Sequence, residues 1–288
     1  MKTTAPHLPS APAPALPTTL APIRPRAARA RSLGGRCAGL VSALALAAPL
    51  HAAVPGSTAS STAANAPAAC SAHSAEKAPQ VVELYTSEGC SSCPPADRWL
   101  STLKGRADVL ALNFHVTYWD RLGWPDRFAD AAYTERQYLW AQRHRSAQVY
   151  TPQVIADGQD WRGWRGSPAL PGPARNPAPV RLQMLRDGDV VKVEVSAAAA
   201  GTPTLSGYWA VLEDGHATRV RAGENRGETL QHDHVVRLLR EVPAWAATAG
   251  LRSQLAVTRG DPATPRRVAF VVTDGATGRP LQALSLGC

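Results

Sequence analysis

The stretch VVELYTSEGCSSCPPAD, residues 81–97, constrains this chain more than any other. An apolar, β-branched run stops at a polar turn. Two cysteines follow at C-x-x-C spacing, and the sequence then reads as helix through Arg98-Trp99-Leu100-Ser101-Thr102-Leu103. A strand that feeds a helix through this spacing is the layout of a dithiol redox site. A thiol at a helix N-terminus sits among unpaired N–H groups and the positive end of the dipole, which favour thiolate over thiol. The thiolate is the attacking species, and a two-residue spacer lets the second sulfur resolve a mixed disulfide.

Pro94 and Pro95 set the helix register. Neither donates a backbone hydrogen bond, so both fit only within a first helical turn. With Cys90 as cap, Pro95 would fall at the fifth helical position and cost a bond to Ser91. With Ser92 as cap, or with a kinked first turn, both prolines are harmless. Either arrangement predicts Cys90 as the exposed, attacking cysteine and Cys93 as its resolving partner.

The first 53 residues read as an export signal and not as fold. Arg24, Arg26, Arg29, Arg31 and Arg36 precede an apolar run from Ala38 to Leu50, and His51-Ala52-Ala53 offers small residues for cleavage. The run is shorter than the roughly 20 apolar residues a membrane span needs, and no later stretch qualifies. Without this segment the formal charge of +9 falls to +3, so the basic balance is no nucleic-acid footprint. An exported chain sits in an oxidising compartment, periplasmic or extracellular. Cys37 lies in the signal, and Cys90 and Cys93 pair locally. Cys70 and Cys288 are left for each other, a bridge worth about 4–5 kcal/mol on the chain-entropy model; a lipidated Cys70 is the alternative.

Residues 54–78 read as a flexible Ala/Ser/Thr/Pro-rich lead. Strands are predicted at Gln80–Tyr85 and Asp108–Val116, with a helix at Ala96–Leu103 between them, which makes a βαβ unit. A second helix is predicted from Ala129 to Ala147. Val149–Gly158 reads as a strand broken by Pro152, explained by a proline at the strand's start with a cis Thr151–Pro152 bond. Pro168, Pro171, Pro173, Pro177 and Pro179 mark a boundary. Beyond it the pattern has period two, with hairpin signals at Asp187-Gly188-Asp189, Asp214-Gly215-His216 and Asp274–Gly278. Thr229–Val242 and Leu251–Thr258 add strand-like stretches, and His232–Arg240 could instead form a short helix.

Three strings, VVELYTSEGCSSCPPAD, NFHVTYWDRLGW and VYTPQVIADG, resemble a secreted bacterial family catalogued as domain of unknown function 1223. Weaker likeness lies in GENRGETLQHDHVVR, and together the strings span residues 79–288. The resemblance implies an α/β thioredoxin-like core with a C-terminal antiparallel all-β subdomain, in agreement with the pattern reading. The expected domains are residues 79–170 and 171–288. It implies no substrate. Compared with thioredoxin, the sequence lacks a tryptophan before the first cysteine and carries a longer helical insertion before Pro152.

On that architecture the expected activity is thiol–disulfide exchange with protein or small-molecule thiols and disulfides. Cys90 attacks, Cys93 resolves, Thr151 and Pro152 orient the partner, and His115, near the C-terminal end of its strand, modulates the thiolate. No G-x-G-x-x-G motif for a flavin or nicotinamide appears, so no cofactor is expected and turnover needs an external redox partner. A zinc site at the cysteines is not expected, because a structural one wants four ligands. Two alternatives stand beside this reading. One is copper(I) handling by Cys90, Cys93 and His115. The other is a binding module whose disulfide is structural. Tyr118, Trp119, Asp120 and Trp124 read as packing residues or a wall beside the cysteines. Glu88 and Asp120 read as solvated turn acids, Trp161–Arg165 as a partner surface or aromatic–arginine stack, and the His232-Asp233-His234 pair of histidines as surface.

Overall fold

The computed structural model describes residues 70–166, 169–172, 177–198 and 204–288. All of them fall in the compact unit spanning Ser61–Cys288. The expected signal peptide, residues 54–69 of the lead, and Pro168 and Pro173 of the boundary lie outside the described residues.

In chain order the elements are β1 (Cys70–His73), β2 (Gln80–Thr86), α1 (Pro94–Ser101), β3 (Val109–His115), α2 (Ala131–Arg143), β4 (Gln153–Ala156), β5 (Gln159–Asp160), β6 (Leu182–Asp187) and β7 (Val190–Val195). They continue with β8 (Thr204–Glu213), β9 (His216–Arg219), β10 (Thr229–His232), β11 (Val235–Ala246), β12 (Leu251–Ala256), β13 (Arg266–Asp274) and β14 (Pro280–Leu286). Eight strands form one sheet in the order β14-β13-β8-β11-β3-β2-β4-β5. Among the described strands only β11–β3 and β3–β2 run parallel. A four-stranded antiparallel sheet, β1-β6-β7-β12, and the β9–β10 ribbon complete the topology.

This corrects the expected fold class. The chain is mostly β-sheet and does not form an α/β thioredoxin-like core with a separate all-β subdomain. The reason is β11, whose Val235 pairs with Asn113 of β3. Through that contact β8, β13 and β14 extend the sheet that β2 and β3 begin, so strands from both sides of the proline-rich boundary share one layer.

Alternation along the strands sorts the core into layers, since successive side chains point to opposite faces. Val82, Leu84 and Ala111 face α1 and pack on Ala96, Leu100 and Trp164. Val81, Tyr85, Leu112 and Phe114 lie on the other face with Tyr133 of α2. At the far end, Leu182, Met184, Val191 and Val193 of the small sheet pack on Trp209 and Phe270. β6 alternates buried and exposed throughout, the signature of a strand covered on one face only.

Local expectations hold in part. The β6–β7 and β13–β14 hairpins form. The β8–β9 hairpin does not: β9 leaves the sheet after Asp214-Gly215 and pairs with β10 instead. Thr229–Val242 is two strands, broken where His234 takes a positive φ of 58°. The α1 cap is Cys93, one residue beyond the expected Ser92, which places Pro94 and Pro95 at the first two helical positions. Cys70 and Cys288 are joined as a disulfide.

Candidate functional site

Cys90 and Cys93 form a disulfide at the start of α1, with Cα atoms 5.4 Å apart. The loop from β2 closes on itself: Cys90 N donates to Ser87 O, and Cys93 N to Cys90 O. Ala96 N and Asp97 N both donate to Cys93 O, anchoring the helix to the second cysteine. Thr151, two residues before β4, donates its hydroxyl to Cys90 Sγ at 3.3 Å. That hydroxyl in turn accepts from Trp119 Nε1 at 2.7 Å. The Thr151–Pro152 bond is cis. Thus the Cys90, Cys93, Thr151 and Pro152 of the sequence reading lie together, although Cys90 and Thr151 are 61 residues apart.

Cys90 is not exposed as the helix register suggested. Both cysteines are 0% exposed, while Ser91 and Ser92 between them face solvent. The loop that joins β9 to β10 is fastened to the cysteine loop. Asn225 Nδ2 donates to the carbonyls of Glu88 and Cys90, each at 2.9 Å. Glu224 accepts from Ser91 N at 3.0 Å and Ser91 Oγ at 2.7 Å, and these bonds hold its carboxyl below the ordinary range. The loop turns at Gly223, whose φ of +73° excludes a side chain without strain, and a Cβ there would stand 3.3 Å from Trp124 Cβ.

The aromatic segment wraps the same loop. Trp124 Nε1 donates to Glu88 Oε2 at 2.8 Å, and Asp120 Oδ1 accepts from Asp126 N at 3.1 Å. Tyr118 OH reaches Gln137 at 3.3 Å. Glu88, read as a solvated acid, is fully buried. Trp161 and Trp164 pack on Trp99 with ring centroids 5.5 Å and 6.3 Å away, so this pair belongs to the core under α1.

Behind the cysteines lies a buried polar cluster. His115, Asn113 and Thr86 share the α1 face of their strands by alternation, and Asp97 sits one turn into α1 opposite them. Asp97 Oδ2 accepts from Thr86 Oγ1 at 2.7 Å, and Oδ1 from Asn113 Nδ2 at 3.0 Å. His232, at the end of β10, brings Nδ1 to 3.2 Å from Asp97 Oδ1 and Nε2 to 3.4 Å from Glu88 Oε1. His115 Nδ1 lies 2.7 Å from Asp126 Oδ2, and the two imidazoles meet edge to face at 4.8 Å. His232 is 2% exposed and His115 0%. The surface reading of His232 and His234 is therefore corrected: both are buried, because the chain folds β10 back beneath the loop that covers the cysteines.

Burial by itself disfavours the charged forms here, and the partners outweigh it. His232 is pushed up to about 10, since the hydrogen bonds and charges of Asp97 and Glu88 overcome desolvation. Burial would raise Asp126, but the charge and hydrogen bond of His115, with the N–H groups of Glu88 and Phe128, hold it down to about 2. Asp97 is likewise below its ordinary value, its desolvation offset by His232, His115 and Asn113. A ligand atom from each of Asp97, His115 and His232 lies within 4.8 Å of the other two. Asp97, Asp126, Glu224 and Asn225 were not picked out in the sequence. They meet the cysteine loop across separations of up to 137 residues, for which a single sequence carries no signal.

The search of curated proteins returns no match. The crystal structure of protein AGR_C_4864 from Agrobacterium tumefaciens is similar over 74% of this chain and 96% of its own, with 26% identity and a TM-score of 0.54. HBP35 of Porphyromonas gingivalis is similar over 74% of this chain and 76% of its own, at 14% identity and a TM-score of 0.45. A family model described as protein of unknown function (DUF1223) matches residues 81–273, and the chain belongs to that family.

Proposed function

We propose that the chain exchanges thiols and disulfides through Cys90 and Cys93 in an oxidising compartment outside the cytoplasm. The observation that carries this reading is the disulfide at the head of α1 with the Thr151 hydroxyl on Cys90 Sγ. In the oxidising direction a partner thiolate attacks Cys90 Sγ, the Cys90–Cys93 bond breaks, and Cys93 leaves as a thiolate. A second partner thiolate then attacks the partner sulfur of the mixed disulfide and releases Cys90. Two electrons have passed to the protein, and an external redox partner removes them. The Thr151 hydroxyl donates to the Cys90 sulfur when it is released as a thiolate, a charge-assisted bond stronger than a neutral one. Access requires the Glu224–Asn225 loop to lift. Export accords with two disulfides and with the signal-like leader; among the described residues no helix is long and apolar enough to cross a membrane.

Burial of both sulfurs favours a second reading, in which the disulfide only fastens the cysteine loop. One measurement separates the two: the reduction potential of Cys90–Cys93 in graded thiol buffers, paired with exchange on a peptide disulfide by wild type and Cys90→Ser. Exchange requires a potential above roughly −300 mV and activity lost in the variant. A potential below that range with no exchange overturns the proposal and leaves the structural reading.

A further inference from the structure

Beyond thiol chemistry, we propose that Asp97, His115 and His232 form a binding site for a divalent first-row transition cation, with zinc the best-suited ion. The donor set is two imidazoles and a carboxylate, which suits zinc and its neighbours and is a poor match to magnesium or calcium. The three ligand atoms already lie within 4.8 Å of one another, and His232 Nδ1 and Asp97 Oδ1 are 3.2 Å apart. Drawing them onto a common centre at about 2.0–2.2 Å requires shifts of less than about 1 Å.

Two further observations point to a ligand. First, His115 Nε2 has no hydrogen-bond partner although its residue is fully buried. An unpaired buried nitrogen is unfavourable, and a cation at His115 Nε2 removes that cost. Second, each imidazole has a carboxylate on the nitrogen facing away from the proposed ion. Asp126 Oδ2 holds His115 Nδ1 at 2.7 Å, and Glu88 Oε1 lies 3.4 Å from His232 Nε2. A carboxylate behind each ligating histidine is the outer shell that fixes ring orientation and tautomer at metal centres. The assignment is therefore His115 Nε2, His232 Nδ1 and Asp97 Oδ1 as ligands, with Asp126 and Glu88 behind them. The cation replaces the proton now shared between His232 Nδ1 and Asp97 Oδ1, and that proton is released to solvent.

The site uses neither Cys90 nor Cys93, which separates it from copper(I) binding by thiolates. It is also assembled from β3, α1 and β10, so a bound ion would clamp the ribbon that covers the cysteines onto the helix that carries them.

The test uses the full chain with disulfides intact, any free thiol alkylated, and metal removed by chelator. Zinc is titrated by calorimetry with thermal unfolding in parallel, and cobalt(II) is added as a spectroscopic probe. The expected result is one equivalent of zinc bound in the micromolar range or tighter, a raised Tm, and visible cobalt bands without a sulfur-to-cobalt charge-transfer band. His115→Gln and His232→Gln abolish the saturable site, while Asp126→Asn weakens it about 10–100-fold. The Cys90→Ser/Cys93→Ser protein retains it. Absence of stoichiometric zinc binding to the wild-type chain overturns the proposal and leaves a charged cluster held by His232. Binding that survives both histidine changes, or that shows sulfur charge transfer, also overturns it. Because the wild-type titration and cobalt spectrum decide the matter alone, a variant that fails to fold does not shield the proposal.

Discussion

Asn225→Ala removes the two hydrogen bonds that fasten the covering loop to the cysteine loop. In the closed state Asn225 Nδ2 satisfies the carbonyls of Glu88 and Cys90, both at 2.9 Å, and the residue is buried. With the amide gone, the Glu88 carbonyl loses this bond and the Cys90 carbonyl keeps only the one from Cys93 N while the loop is closed, and both regain water when it lifts. At a net worth of about 1 kcal/mol for each bond, the closed state loses about 2 kcal/mol relative to the open one. At 1.4 kcal/mol per factor of ten, the open population rises about 30-fold. If the loop recloses faster than the reagent reacts, the rate of disulfide reduction rises by the same factor. The assay is pseudo-first-order reduction by dithiothreitol, quenched in acid, alkylated and read by mass spectrometry, with the Cys70–Cys288 bond as internal control. A Cys90–Cys93 rate unchanged within a factor of two would refute the reasoning, since the sulfurs would then be reached by another route. Equal acceleration of both disulfides would assign the effect to global unfolding.

Other substitutions test other parts of the account. Thr151→Val removes the donor to Cys90 Sγ and should lower the reduction potential by about 30 mV, the equivalent of about 1.4 kcal/mol, as read in glutathione buffers; no shift would show that the hydroxyl does not favour the reduced form. Arg136→Met leaves Glu83, whose Oε1 accepts from Arg136 at 2.7 Å, without its cation in a largely buried site. The expected loss is about 3 kcal/mol by urea denaturation, because the hydroxyls of Tyr85 and Tyr208 still reach that carboxylate. Cys288→Ser opens a link with a sequence separation of 218, which on the chain-entropy model costs about 5 kcal/mol in urea. Burial pushes the Glu213 carboxyl up, yet the hydrogen bond and charge of Arg266, with His216 and Arg237, carry it below its ordinary value of 4.5. A depressed acid stabilises the fold above its unfolded pKa and loses that contribution as pH falls through the folded one. Glu213→Gln should therefore lower Tm at neutral pH, with the gap to wild type closing below about pH 4.

Local pattern and long-range neighbourhood were legible to different degrees. The run Val81–Tyr85, the cysteine spacing and the two prolines specified a strand, a loop and a helix because each is a local constraint on φ and on burial. The Thr151–Pro152 position followed from the same logic, since a proline cannot sit inside a central strand. Partner choice was another matter. The strand-like stretch Thr229–Val242 names no neighbour, and its second half enters the large sheet beside β3 and β8, so strands from both sides of the boundary share one sheet. His232 reads as surface in any polar tripeptide. Only the turn of β9 away from the sheet, and the positive φ at His234, carry it under the cysteine loop. The exposed-thiolate expectation failed for the same reason, because the groups that close on the cysteine loop, Thr151 and Asn225, lie 61 and 135 positions downstream of Cys90.

That merger has a practical consequence for anyone shortening the chain. A fragment that stops at the proline-rich boundary would lose β11 and leave Asn113 of β3 without the Val235 partner that joins the two halves of the sheet, uncovering a strand edge. It would also strip the roof from both sulfurs, so its thiol reactivity would describe a different chemical object. The segment that shields the reactive pair travels with the distant half of the polypeptide, and the two must be expressed together for either to mean anything.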